Sequence, residues 1–285
     1  MILEEKYTLS NGIEIPKLGL GTWFISNKDA VQAVKDAVKI GYRHIDTAQA
    51  YENESGVGDG IRQCGMKRED MFVTTKLAAE VKSYEETVAS IDKSLQETGL
   101  DYIDMMIIHS PQPWAEFRGD PYFEGNREAW RALEEVYKAG KLRAIGISNF
   151  KKADIDNILE SCSVKPMVNQ ILAHISNTPT ELIQYTQEKG MLVEAYSPFG
   201  HGELLKNQEI AAISKKYNVS VPQSSIRYDL QLGLLPLPKT ANPGHMKTNS
   251  EVDFVISEED MEILKNMELI KDYGEASMFP VYSGK

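Results

Sequence analysis

Four side chains spread over the first 110 residues, Asp46, Tyr51, Lys76 and His109, form a set able to move a proton. A tyrosine holds its proton until about pH 10, so on its own it is a reluctant acid. An ammonium nearby favours the phenolate and lowers that value. A carboxylate beside the lysine keeps the lysine charged and in place, and a histidine at the fourth corner can hydrogen-bond a substrate oxygen. Together they would polarise a carbonyl and protonate it as negative charge develops. The set supplies no electrons, and a nicotinamide is the natural hydride donor to a carbonyl activated in this way. Singly, each residue has an ordinary reading: a helix cap, a solvated cation, a structural imidazole, a packing phenol. Their conjunction at successive element ends is what points to catalysis.

Most of these residues close short apolar runs. His44-Ile45 leads to Asp46, Phe72-Val73-Thr74-Thr75 to Lys76, and Met105-Met106-Ile107-Ile108 to His109. The pattern continues through Ser148-Asn149, Gln170, Tyr196-Ser197 and Lys239-Thr240. Parallel strands closed into a barrel gather their C-terminal ends on one face, where distant residues converge on one pocket. Between the runs lie amphipathic stretches with helix punctuation. Residues 28–40 stop at Gly41, and residues 84–98 start with a Ser83/Glu86 capping box and stop at Gly99. Residues 126–139 end at Gly140, and a Thr178-Pro179-Thr180-Glu181 capping box opens a helix that closes at Gly190. Two further pieces cover 207–217 and 221–231, and Ser257 with Asp260 caps a last helix through about Met267. Strand one is placed at Lys17–Thr22. Before it, Tyr7-Thr8-Leu9 and Ile13-Glu14-Ile15 flank Ser10-Asn11-Gly12, a hairpin signal. The expected fold is therefore an α/β class (α/β)8 TIM barrel whose N-terminal β-hairpin closes the bottom, a single domain over residues 1–285.

An open doubly wound sheet is the rival architecture, but Gly19-Leu20-Gly21-Thr22-Trp23 lacks the third glycine of its nucleotide fingerprint. Gly56-Val57-Gly58-Asp59-Gly60 follows Asn53-Glu54-Ser55 rather than a strand and reads as a glycine-rich short helix. The net charge of −11 argues against a nucleic-acid partner. Cys64 and Cys162 belong to no CxxC or Cys/His cluster, and the five histidines show no ligand spacing, so no metal is expected. The N-terminus lacks the features of a signal peptide and no run approaches a membrane span. Free thiols in a reducing cytoplasm are the reading. Paired-carboxylate hydrolysis through Asp101 and Asp104 is disfavoured because both sit at the start of a strand, on the wrong face. The segment Ser110–Gly125 is the longest loop and lies on the active-site face; the tail from residue 271 either folds over that face or is disordered.

Gly41-Tyr42-Arg43-His44-Ile45-Asp46-Thr47-Ala48 with Tyr51, Lys76, Ile107-Ile108-His109, Gly146-Ile147-Ser148-Asn149-Phe150, Val168-Asn169-Gln170, Ala195-Tyr196-Ser197-Pro198 and Pro238-Lys239-Thr240 occur in the order of the blocks of one family. Over roughly residues 5 to 270 the chain resembles the aldo-keto reductases. The resemblance implies a monomeric, cytosolic barrel that binds NADPH and reduces aldehydes or ketones. Tyr51 would be the general acid, Lys76 paired with Asp46 would tune it, and His109 would orient the carbonyl. Tyr196 would stack on the nicotinamide, with Ser148, Asn149 and Gln170 on its carboxamide and Thr22 and Trp23 at its border. Ser197, Phe199 and Gly200 would meet the pyrophosphate, Lys239, Thr240 and Ala241 the adenosine phosphate, and His245 and Asn249 the adenine end. Trp23, Tyr51, His109, Ser110 and Trp114 would form the substrate pocket.

Three departures from the family pattern carry expectations of their own. His245 stands where an arginine usually pairs with the 2′-phosphate, which predicts NADPH preferred over NADH by a reduced margin. Thr248 replaces a glutamate at the adenine. Ser110 replaces a tryptophan after the catalytic histidine, which widens the pocket or leaves its wall to Trp114 and Phe117. The block after Gln170 also reads Ile171-Leu172-Ala173-His174 where a glutamate and a His-Pro are usual. The competing function is a nucleotide-binding sensor barrel with little turnover, against which the intact tetrad argues.

Overall fold

The structure is a computed structural model and describes residues 1–283. Strands β1 (Lys6–Thr8) and β2 (Glu14–Pro16) pair antiparallel, with Tyr7 opposite Ile15. Asn11 steadies the turn by accepting the Ile13 N–H at 3.1 Å and donates to the Arg143 carbonyl at 3.0 Å. The Tyr7 hydroxyl donates to the Leu234 carbonyl at 3.1 Å. The hairpin thus caps the end of the barrel where its strands begin, with Leu9 and Ile15 buried in the main core.

Eight parallel strands follow: β3 (Leu20–Gly21), β4 (His44–Asp46), β5 (Phe72–Leu77), β6 (Ile103–Ile108), β7 (Leu142–Ser148), β8 (Val168–Leu172), β9 (Leu192–Tyr196) and β10 (Leu235–Leu237). Each pairs with its neighbour in sequence. The ring closes where Gly21 bridges Lys239 and the N–H groups of Gly19 and Gly21 donate to the Pro236 and Pro238 carbonyls at 3.3 and 3.0 Å. This is the (α/β)8 TIM barrel. β5 and β6 are buried at every residue, as parallel strands covered on both faces must be. Strand one is shorter than Lys17–Thr22. The Lys17 N–H is held by the Glu5 carbonyl at 3.0 Å, so the chain there still follows the hairpin.

The helices between strands follow their punctuation. α1 (Asn27–Ile40) starts on Ser26, whose hydroxyl accepts the Asp29 N–H, and buries Ala30, Ala33, Val34, Ala37 and Val38. α3 (Tyr84–Thr98) starts on Ser83 and stops at Gly99 in the left-handed region. Between them, α2 (Glu54–Gln63) is the glycine-rich helix. A methyl at Gly56 would collide with the Asn27 carbonyl and one at Gly58 with the Thr98 carbonyl. One at Gly60 would sit 2.6 Å from Val34 Cβ. The three glycines let α2 press between α1 and α3. The remaining helices are α4 (Phe123–Lys138), α5 (Lys152–Leu159), α6 (Thr180–Glu188), α7 (Gln208–Lys216), α8 (Val221–Gln231), α9 (Pro243–Ser250) and α10 (Glu258–Lys265).

Three local expectations are corrected. α4 begins at Phe123, three residues earlier than residue 126. The Thr178–Glu181 capping box does not form: Thr178 donates its hydroxyl to the His174 carbonyl or shares it with Tyr228, and no side chain caps α6. α9 was not foreseen, although Asn242 accepts the N–H groups of Gly244 and His245 ahead of Pro243 at its start. Asp104 lies at the foot of β6, bound by Arg68 at 2.6 Å, Arg143 at 2.7 Å and the Val73 N–H at 2.9 Å. It ties strands together far from the site. Among the described residues no helix is long and apolar enough to cross a membrane.

Candidate active site

Asp46 ends β4, Lys76 lies near the end of β5, and His109 directly follows β6. Tyr51 sits on no strand: it closes a single 3-10 turn, Gln49–Tyr51, after β4. Gln49 holds that turn by donating to the Ser90 carbonyl and Ser94 hydroxyl of α3 and accepting the Ala78 N–H at 2.8 Å. Asn53 anchors the other side, donating to the carbonyls of Thr22 and Ile25 at 2.9 Å each. Neither residue stands out in the sequence; amides that fix a turn leave no periodic signal.

The Lys76 ammonium has three N–H donors and three acceptors: Asp46 Oδ1 at 2.5 Å, the Thr47 carbonyl at 2.8 Å and Tyr51 Oη at 3.3 Å. Because Lys76 donates to the phenol oxygen, the phenol's own proton is left to be given to the cavity. The other Asp46 oxygen accepts Gln170 Nε2 at 2.9 Å. His109 stands edge-on to Tyr51 with ring centres 5.7 Å apart.

Burial sets the protonation of this group. It would draw the Lys76 ammonium down, but Asp46 and Tyr51 outweigh it and leave the lysine above its usual value. Burial also pushes the Tyr51 phenol up, the Lys76 charge pulls it back, and the net is a raised value. The ammonium therefore acts in the expected direction, while the desolvation of a phenolate is the larger effect. A raised value keeps the phenol protonated at neutral pH. Burial and then the Lys76 charge hold His109 well below the ordinary imidazole range, so it is neutral. Among the described residues its Nδ1 is buried without a partner, and the ring borders the cavity.

That cavity measures about 540 Å³, within the span of small-ligand sites. Thr22, Trp23, Asp46, Tyr51, His109, Trp114, Ser148, Asn149, Gln170, Tyr196, Ser197, Phe199 and Lys239 all line it. Gly200 and Asn249 are buried just outside, Thr240 and Ala241 follow β10, and His245 is exposed on α9; none of these walls the cavity. Ser110 is buried and turned away, its carbonyl accepting Lys82 Nζ at 2.8 Å, so Trp114 takes that wall, edge-on to His109. Phe117 stands behind Trp114. Four of the eight non-glycine residues with left-handed backbone, Phe24, Asn149, Ser197 and His201, line this one cavity, where strain is held in place by its surroundings.

The donor set suits a nicotinamide nucleotide. Asn149 donates to the His109 carbonyl at 2.9 Å and accepts the Tyr196 hydroxyl at 2.7 Å, which fixes the amide at the strand ends. No donor among the described residues reaches Gln170 Oε1. Lys239 forms no ion pair among the described residues and faces the cavity.

The tail settles over the mouth. Phe279, Pro280, Val281 and Tyr282 form one wall. Tyr282 is buried, shares a 2.7 Å hydrogen bond with Ser197, and lies edge-on to His201 at 4.4 Å. Phe279 packs against Trp23 and Phe24. The loop after β6 is pinned by Arg118 donating to the Asn149 carbonyl at 2.9 Å.

The model of the aldo/keto reductase family matches residues 17–268. The chain belongs to the aldo/keto reductase family. It is 42% identical over 262 residues to the glyoxal reductase of Bacillus subtilis, covering 91% of each chain. It is 40% identical over 259 residues to the 9,11-endoperoxide prostaglandin H2 reductase of Trypanosoma cruzi, covering 89% of this chain and 88% of the relative. An aldo-keto reductase of Bombyx mori solved in complex with NADP superposes with a TM-score of 0.84 at 33% identity, covering 98% of both chains.

Proposed function

We propose that this aldo/keto reductase reduces an aldehyde or ketone to an alcohol with NADPH, using Tyr51 as the proton donor. When bound, the nucleotide supplies the hydride; the residues around it supply position and a proton. Tyr196, Ser148, Asn149 and Gln170 hold and orient the nicotinamide end, Ser197, Phe199 and Gly200 the pyrophosphate, and Lys239, Thr240, Ala241, His245 and Asn249 the adenosine end. His109, neutral, donates to the carbonyl oxygen. Tyr51 gives its proton to the same oxygen as charge builds, and the Lys76 ammonium steadies the phenolate left behind. The observation that carries this reading is the threefold hydrogen bonding of Lys76, which points its positive charge at Tyr51 Oη. The intact tetrad favours turnover over a sensor role.

The test is a panel of carbonyls assayed with both nucleotides. NADPH oxidation on simple aldehydes is expected, with kcat/KM for NADPH above that for NADH by a modest factor because His245 stands at the adenine end. No turnover with any carbonyl would leave the sensor reading, and a strong NADH preference would overturn the placing of Lys239. The substrate side of the cavity is aromatic, with Trp23, Phe24, Trp114 and Phe279, and suits uncharged carbonyls. Removing residues 271–285 is expected to raise KM several-fold for bulky carbonyls and flatten the selectivity of the panel. An unchanged profile would show that the tail wall is not used. The two free, half-buried cysteines suit a reducing cytoplasm. A monomer is the state the family resemblance implies; light scattering would check the mass.

A further inference from the structure

We infer that Glu194 is a positioning residue: it shares the Gln170 amide with Asp46 and, by keeping its own proton, leaves Asp46 as the sole counter-charge of Lys76. The inference rests on the proton-donor role of Tyr51 and extends it one layer into the barrel.

Glu194 lies mid-way along β9, fully buried. Gln170 Nε2 has two hydrogens and two carboxyl partners: Asp46 Oδ2 at 2.9 Å and Glu194 Oε2 at 2.8 Å. The remaining oxygen, Glu194 Oε1, has no partner among the described residues. One cation serves this region, and its three donors go to Asp46, Thr47 and Tyr51. Two carboxylates on either side of one amide, with one ammonium already engaged, cannot both ionise in a dry interior. Asp46 holds the ion pair, so Glu194 is the one that stays neutral. Burial, then the Asp46 charge, pushes the Glu194 carboxyl up to about 8. The groups acting on it are Asp46 from β4, Lys76 from β5 and Gln170 from β8, while β10 brings only Leu235, Pro236 and Leu237. His44, also on β4, is buried and neutral.

Two consequences follow. Taking both amide hydrogens fixes which way Gln170 points and leaves its Oε1 unclaimed. Ionisation of Glu194 places a second negative charge beside Asp46, which holds the protons of Lys76 and Tyr51 more tightly. In Glu194→Gln that charge never appears. The pH limbs governed by Tyr51, the alkaline fall of carbonyl reduction and the rise of alcohol oxidation, are then expected to move to lower pH by on the order of one unit.

The experiment pairs those limbs with NMR of protein labelled with [13Cδ]glutamate, without nucleotide. A glutamate carboxyl titrating near pH 8 is expected in the native protein and absent from Glu194→Gln. Every glutamate carboxyl being already ionised at pH 7 overturns the proposal, and this readout needs no variant should Glu194→Gln fail to fold. A titrating Glu194 with unmoved limbs overturns it as well, since the residue would be buried but uncoupled. Failure of the underlying reading shows differently: Tyr51→Phe would keep its activity while the NMR titration stayed as expected.

Discussion

Tyr51→Phe is expected to lose carbonyl reduction by about 10²–10⁴-fold in kcat/KM, the usual contribution of a general acid. The ring remains, so its edge-on contact with His109 and its place beside Trp23 are kept. NADPH affinity, read by fluorescence titration, should stay within a few-fold because the groups proposed to hold the nucleotide are untouched. The loss belongs to kcat: without the hydroxyl the developing alkoxide keeps only His109 as a donor. A folded Tyr51→Phe protein that turns over aldehydes like its parent would remove Tyr51 from the mechanism. The raised phenol also sets a sign. With Tyr51 as the proposed proton donor, reduction should hold level across neutral pH and fall only on the alkaline side, where the phenol ionises.

Lys76→Met carries the second large effect, and it falls on stability as well as rate. Asp46 would be left as a buried carboxylate with only the Gln170 amide for company. Removing one partner of such a pair costs about 3–5 kcal/mol, measurable as a lowered urea midpoint. Reduction should drop at least as far as in Tyr51→Phe, because the phenolate loses its cation. The double variant Asp46→Asn/Lys76→Met should recover much of the stability and none of the activity, since an uncharged pair leaves no stranded charge. Recovery of neither would mean that the ion pair is not what holds the floor of the cavity together.

The positions of chemistry were legible because a barrel turns each strand end into an address. Asp46, Lys76, His109, Asn149, Gln170 and Tyr196 each close an apolar run, and all but Lys76, which bonds Asp46 and Tyr51, line one cavity. What was hidden has physical reasons. α9 is only eight residues long and shows no apolar stripe, so only its Asn-Pro start betrays it. Ser110 follows a strand end yet does not line the cavity, its hydroxyl accepting the Gln112 N–H instead. The tail has no periodicity, and its aromatic wall exists only once Trp23, Phe24 and Tyr196 have been assembled beneath it. Glu194 was passed over as one letter in an apolar run, since its role depends on an amide from a different strand. The expected lowering of the Tyr51 phenol failed for a related reason: the neighbour was readable, the depth of burial was not.

Helix α2 carries one last implication. The turn holding Tyr51 runs directly into it, and α2 lies as near to α1 and α3 as backbone allows, with no side chain at three points of approach. The placing of the Tyr51 hydroxyl thus depends also on clearance between cylinders, on the outer shell of the molecule. Adding a single carbon at Gly58, which packs on the Thr98 carbonyl of α3, is expected to shift α2 and with it the turn that carries Tyr51, as a thickened shim tilts a lens. Screens that watch only pocket-facing positions would overlook that lever, and designers wishing to re-aim this barrel could use it.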